Sequence, residues 1–310
     1  MTEKKNSSFF DQFHTDRYTK HDSMIKIIFV GIVLLLGGQI LNRIPEFLLG
    51  KILGSSDFAL TFQHYVDNLG VWIFCLAWFW FITYNRPVLT AIGPKMKGNT
   101  WKMLGLGLLV GFAQNALCVL GAILHGDIYL SYDRFEVIPM ILLLFAVFVQ
   151  SSSEELICRG FMYHRLKRGY RSPLVWILGN SIVFSVLHLL NPGITAFSFL
   201  NILLIAVFYS LILYYFDNSI WFTMAAHTGW NYTQNILFGL PNSGQVLPYS
   251  FMKLDASNAR NSWVYDVKFG VEGTVLACLV ILISIAVIWF FGSRRTFTDQ
   301  DVWDMVDARP

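Results

Sequence analysis

Apolar runs of about twenty residues alternate with short polar breaks along the whole chain. Eight stand out: Met24 to Leu41, Val66 to Tyr84, Trp101 to Leu124, Val137 to Glu155 or beyond, Leu174 to Leu190, Ala196 to Phe216, Ile220 to Phe238, and Val275 to Phe291. Each is near the ~20 residues that cross a ~30 Å hydrocarbon core. The pattern predicts an all-α, polytopic membrane protein with about eight transmembrane helices, not a barrel of alternating strands. Little more than Asn191-Pro192-Gly193 and Phe216-Asp217-Asn218-Ser219 separates the fifth to seventh runs, which makes them tight helical hairpins. With no soluble domain or internal repeat, the expected organisation is a leader (1–23), one transmembrane domain (24–292) and a tail (293–310).

Composition agrees with that pattern. Hydrophobic residues make up 55% of the 310 positions and mean hydropathy is +0.51, more apolar surface than one soluble core needs. Only 14% are charged, and these gather at the termini and between runs, so the net charge of +3 does not point to nucleic acid. The loops decide orientation. With a cytoplasmic N-terminus, sixteen basic residues fall on the inner side and six on the outer, so both termini are expected in the cytoplasm. The leader carries Glu3, Asp11, Asp16 and Asp22 and resembles no cleavable signal, so the first helix is expected to stay. The tail stripe Val302, Trp303, Val306 suggests an interfacial helix. Cys75, Cys118, Cys158 and Cys278 lie in or beside apolar runs without CxxC spacing and are expected to be packed thiols.

One stretch departs from this economy of charge. Ser151-Ser152-Ser153-Glu154-Glu155-Leu156-Ile157-Cys158-Arg159 follows an apolar run and sets two carboxylates and an arginine where hydrocarbon is expected. They could simply end the fourth helix at the surface. The basic cluster, glycine and proline of the turn come later, however, centred near Arg171, with Glu154 seventeen residues before that centre and His188 seventeen after it. If the fourth helix continues through Phe161 to Leu166, two antiparallel helices bring Glu154 and His188 to one height. Counting back from a boundary near His164 to Lys167 puts the carboxylates on the order of 15 Å inside. An ionisable group there normally meets a partner or lines a cavity.

Glu155 and Arg159, at i and i+4, can neutralise each other. Glu154 points about 100° away and has no such local partner. Phe184 and His188 share a face of the fifth run, and His227 and Asn231 a face of the seventh, so Glu154, His188, His227 and Asn231 are expected to converge in the cytoplasmic half of the bilayer. Taken singly, a membrane histidine is more often a packed residue, and Asn231 alone could be interhelical glue. It is the combination that signals chemistry. His14, His21, His64, His125 and His164 lie in loops or near interfaces and are assigned none. The three serines lack a His-Asp pair or a nucleophile elbow, and no HExxH is present.

Together, Glu154-Glu155-x-x-x-Arg159, Phe184-x-x-x-His188 and His227-x-x-x-Asn231 resemble the three motifs of the CPBP family, the CAAX proteases and bacteriocin-processing enzymes also called Abi proteins. The resemblance covers about 137–238, where the protease core is expected, and Lys268 to Gly273 is similar to a glycine and glutamate segment of bacterial members. Cys158 departs from the aromatic or aliphatic residue usual before the arginine. The resemblance implies an intramembrane endopeptidase in which Glu154, with His188, activates water, while His227 and Asn231 donate to the oxyanion and Glu155 with Arg159 holds the helix. It equally allows Glu154, His188 and His227 to ligate Zn²⁺ with a position open to water.

The partners expected are the lipid bilayer and a membrane-embedded or membrane-anchored peptide substrate, in a multi-pass protein of a bacterial plasma membrane. Two other classes compete: a non-catalytic bacteriocin-immunity or scaffold protein of the same fold, and a proton- or ion-coupled transporter. The absence of broken-helix repeats counts against the transporter.

Overall fold

The computed structural model describes residues 12–295 and 301–307. Every expected apolar run is a helix. The chain forms α1 (Met24–Leu41) and α2 (Arg43–Leu53), then α3 (Asp57–Val66), α4 (Leu69–Phe81) and α5 (Val88–Ile92), followed by α6 (Trp101–His125) and α7 (Val137–Glu155). It continues with α8 (His164–Gly169), α9 (Pro173–Leu187), α10 (Ala196–Tyr215), α11 (Ile220–Asn231), α12 (Val275–Gly292) and the tail helix α13 (Val302–Asp307). A short antiparallel pair, β1 (Leu130–Tyr132) and β2 (Met252–Leu254), is the only sheet among the described residues.

Six helices are long and apolar enough to cross a membrane by themselves, and the bent pair containing α3, α4 and α5 makes a seventh. The protein is therefore polytopic and helical. The expected seventh span, α11 with its extension, does not qualify, for a physical reason: within α11 all residues except Trp221 are buried. A helix sheathed by others can carry His227, Thr228 and Asn231 in place of apolar side chains.

The close fit of α11 on α6 depends on glycine. A Cβ at Gly107 would collide with the Phe222 carbonyl, one at Gly111 with the Ala226 carbonyl, and one at Gly229 with the Leu108 carbonyl. Small residues at such spacing let helix backbones touch inside a bilayer. Gly111→Val is expected to push α11 off α6 and to lower the thermal midpoint in detergent by more than 5 °C. A midpoint unchanged from wild type would show that the contact is dispensable.

As the spacing predicts, the fourth span does not stop at Glu155. It passes through a π-helical segment, Leu156–Tyr163, into α8. All eight residues of that segment are buried, Arg159 among them. A π turn inserts extra backbone into a helix and often marks a functional site.

Leader, tail and α8 meet on one face of the bundle. Arg165 pairs with Asp22 at 2.7 Å, and Arg17 pairs with Asp301 at 3.0 Å and Asp304 at 2.6 Å. The Trp303 ring lies 5.3 Å from the Arg165 guanidinium and 5.2 Å from that of Arg168. Both ends of the described chain thus share the side that the charge bias assigns to the cytoplasm. Val302 and Trp303 are buried in the protein, so this part of the tail stripe packs on the bundle instead of lying in the lipid interface. The opposite face carries the β1–β2 pair and a long strap between Phe238 and Thr274.

Candidate active site

The π segment and α7 turn the two adjacent glutamates in different directions. Glu155 and Arg159 are both fully buried and meet at 3.1 Å. Arg159 also donates to the Ala206 carbonyl at 3.1 Å and lies over the rings of Phe184, at 4.6 Å, and Tyr209, at 5.4 Å. The contact with Glu155 is made through one oxygen, and the same Oε1 lies 3.1 Å from His227 Nδ1. Glu155 therefore joins α7 to α11 as well as to its own arginine. A carboxylate on Nδ1 fixes the tautomer of the ring, so that Nε2 is the nitrogen left for the cavity that His227 lines.

Glu154 faces the cavity. Its Oε1 accepts from Gln150 Nε2 at 2.6 Å, and its Oε2 has no hydrogen-bond partner and stands 3.8 Å from His188 Nε2. That separation is too long for a direct bond and short enough for one water to reach both groups. His188 ends α9 and starts a 3₁₀ turn, His188–Leu190, and its backbone N–H turns to the Ser185 carbonyl. The Phe184 carbonyl is thereby left for the His188 ring, whose Nδ1 lies 2.8 Å from it. A carbonyl only accepts, so Nδ1 carries a hydrogen and Nε2 is the nitrogen turned toward Glu154. This explains the Phe184-x-x-x-His188 spacing: the phenylalanine supplies a carbonyl to the histidine and a ring to Arg159.

Asn231 is placed differently from expectation. Its Nδ2 donates to Gln150 Oε1 and Ser151 Oγ, each at 3.2 Å, and its Oδ1 accepts from Asn242 at 3.1 Å. Both amide hydrogens are engaged, so Asn231 as placed positions Gln150 and is not a free oxyanion donor. A one-way chain of donors runs from Asn242 through Asn231 and Gln150 to Glu154.

Asn242, where the chain starts, also donates to a carboxylate to which the sequence alone assigned no role. Glu272, in the Lys268 to Gly273 segment, is buried and accepts from Trp230 Nε1 at 2.8 Å, the Ser243 N–H at 2.8 Å and Asn242 Nδ2 at 3.5 Å. It pins the strap over the site, where Ser243 holds a left-handed φ of 50°. Glu272→Ala would leave the indole and strap donors without an acceptor, at about 1–3 kcal/mol for each buried donor. The expected outcome is a lowered melting midpoint together with a lower reaction rate. Unaltered values for both would mean that the strap needs no anchor.

Glu154, His188, His227 and Asn231 line one cavity of ≈ 160 Å³, together with the amides of Gln150, Asn191, Asn235, Asn242 and Gln245. The four motif residues are brought together as expected, but not at the expected depth. Arg159 meets α10 at Ala206, and Glu154 lies about 7 Å further toward the α9–α10 turn, counted along the helix. That turn is remote from the termini, and strap residues Asn242, Ser243 and Gln245 close the same end of the cavity. The site thus sits in the half of the bundle away from the leader and tail, not in the half they share. The physical reason is the length of α9: its fifteen residues separate His188 from the turn beside the leader, which carries the Glu154–His188 pair past the middle of a ~30 Å core.

Gln150 and His64 are the further residues that sequence reasoning passed over. The Gln150-x-x-x-Glu154 spacing is itself a signal, because an amide one turn before a carboxylate can bond it. His64 and Tyr65 reach the cavity from α3, far away in sequence. For a metal, no three His, Cys, Asp or Glu side chains among the described residues are grouped as ligands. Glu154, His188 and His227 share the cavity without forming a ligand set.

Comparison with known proteins bears on the same segment. Residues 136–233 match the family described as type II CAAX prenyl endopeptidase Rce1-like. The matched segment contains all three motifs, and the match supports the likeness to CPBP/CAAX proteases. The chain is also 34% identical over 113 residues to the uncharacterized protein YyaK of Bacillus subtilis, a match that spans 35% of this chain and 37% of that protein's length. No solved structure matches the chain significantly. Family and apolar helices together support a multi-pass membrane protein with a CAAX-type intramembrane protease core.

Proposed function

We propose that the protein is an intramembrane endopeptidase that hydrolyses a peptide bond of a membrane-embedded or membrane-anchored substrate through water activated by Glu154 and His188. The observation that carries this reading is the unpartnered Glu154 Oε2 facing His188 Nε2 at 3.8 Å in a polar cavity inside the bundle. Glu154 takes a proton from the shared water as its oxygen attacks the scissile carbonyl carbon. His227 Nε2 faces the cavity and, when protonated, donates to the resulting oxyanion. The C–N bond then breaks, the proton returns to the leaving amine, and the products are a carboxylate and an amine. Asn231 holds Gln150, and Gln150 holds Glu154 in its attacking orientation.

The test is a comparison of membrane peptides by mass spectrometry between cells making the wild-type protein and cells making equal amounts of Glu154→Gln. Fragments present only with wild type support the endopeptidase. If Glu154→Gln and His188→Ala leave fragments and phenotype unchanged while deletion of the protein does not, the non-catalytic immunity or scaffold role replaces it.

A further inference from the structure

Glu154, His188 and Asn191 line two cavities at once. Behind them, on the side away from the amides, is a second cavity of ≈ 230 Å³ bounded by Leu35 and Gln39 of α1, Ile157 and Cys158 of the π segment, and Phe184 and Leu187 of α9. Beyond the shared Glu154, His188 and Asn191, its wall is hydrocarbon apart from Gln39 and the Cys158 thiol, the shortest side chain in it. Both α1 and α9 pack on the π segment, and the cavity lies between them. Leu36, Val186, Leu189 and Leu190, which flank the gap, are exposed as lipid-facing residues are. The carboxylate and imidazole therefore stand on a partition, with an amide-lined compartment under the strap on one side and an apolar compartment reached from the bilayer on the other.

Size limits what the apolar compartment can hold. A dry cavity of ~150 Å³ lined by aliphatic side chains takes a benzene ring. One of ≈ 230 Å³ suits a side chain of leucine to phenylalanine size, and it does not enclose a long lipid chain. Its neighbour offers carboxamides, which satisfy the N–H and C=O groups of an extended peptide but give hydrocarbon nothing.

We propose that the apolar cavity is the specificity pocket of the hydrolysis proposed above, taking the apolar side chain on one side of the cleaved bond, while the amide-lined cavity takes polar chain on the other. The substrate is then a peptide that leaves the bilayer at the cleaved bond, on the face remote from the termini. This rests on the endopeptidase reading.

The test uses full-length protein in phosphatidylethanolamine–phosphatidylglycerol vesicles. The probe is a peptide library with one apolar transmembrane segment, a polar tail and randomised residues at the junction, and cleavage sites are read by mass spectrometry for wild type and Glu154→Gln. Glu154-dependent cuts are expected at bonds with Leu, Ile, Met or Phe on one fixed side, favoured over Ala by 10- to 200-fold in kcat/KM, the range an apolar pocket gives. Leu35→Trp should move the preference toward Ala, and Leu35→Ala toward Phe and Trp. If one variant fails to fold, the other still carries the test. Glu154-dependent cleavage without an apolar preference, or with a preference neither Leu35 variant moves, overturns the pocket. So does better cleavage of a peptide carrying a prenylated cysteine at that position. No Glu154-dependent cleavage of any peptide overturns the endopeptidase reading itself, and the pocket with it.

Discussion

Glu155→Ala is expected to destabilise the folded protein by about 3–5 kcal/mol, the usual cost of stripping one partner from a buried ion pair. The Arg159 guanidinium is fully buried, and after the substitution its charge would keep only the Ala206 carbonyl and the Phe184 and Tyr209 rings. The His227 ring would lose its Nδ1 partner in the same step. Loss of stability should therefore come with loss of activity, even in molecules that stay folded at low temperature. A double variant, Glu155→Leu with Arg159→Met, removes both charges and should recover much of the stability without restoring the His227 orientation. Unfolding in mixed micelles, followed by tryptophan fluorescence, measures both variants. If Glu155→Ala melts with wild type, the pair does not hold the fourth helix.

Glu154→Gln should do the reverse. The side chain is about a quarter exposed to the cavity and pairs with nothing whose loss would strand a buried charge. The amide keeps the size of the carboxylate but cannot take a proton from water. Removing a general base commonly costs 10²–10⁴-fold in rate, so turnover should fall by at least ~10²-fold with the melting midpoint unmoved. Glu154→Asp retains the chemistry and retracts the carboxylate by one methylene, and a misplacement of ~1 Å can itself cost ~10²-fold. Turnover per folded molecule decides the matter. A Glu154→Gln protein that cleaves at wild-type rate would remove Glu154 from the reaction and leave the motif with the Glu155–Arg159 pair alone.

The contrast between these neighbours was legible because helical spacing is a local property. Glu155 and Arg159 are four apart and Glu154 is one position round, so their separate directions follow from 3.6 residues per turn. The pairing of heights across the turn near Arg171 was legible for the same reason, and Glu154 does meet His188. The π segment between them was not, because the groups around its buried Arg159 come from Phe184 of α9 and from Ala206 and Tyr209 of α10, far along the chain. Asn231 shows the limit from another side. Its place one turn after His227 was readable, whereas its two occupied amide hydrogens depend on Gln150 and Ser151, eighty residues earlier in the chain.

By itself, then, the sequence determined the helices, their number within one, the antiparallel pairing of the fourth and fifth, and the residues that share a face. Each of these follows from apolar length or from helical period, which a linear chain carries in full. Tertiary structure alone decided that α11 is sheathed, that the site lies away from the termini, that Glu272 pins a strap above it, and that an apolar cavity opens behind Glu154. Those outcomes depend on which faces of distant helices meet and on how closely glycines let them approach, and neither quantity has a period along the chain.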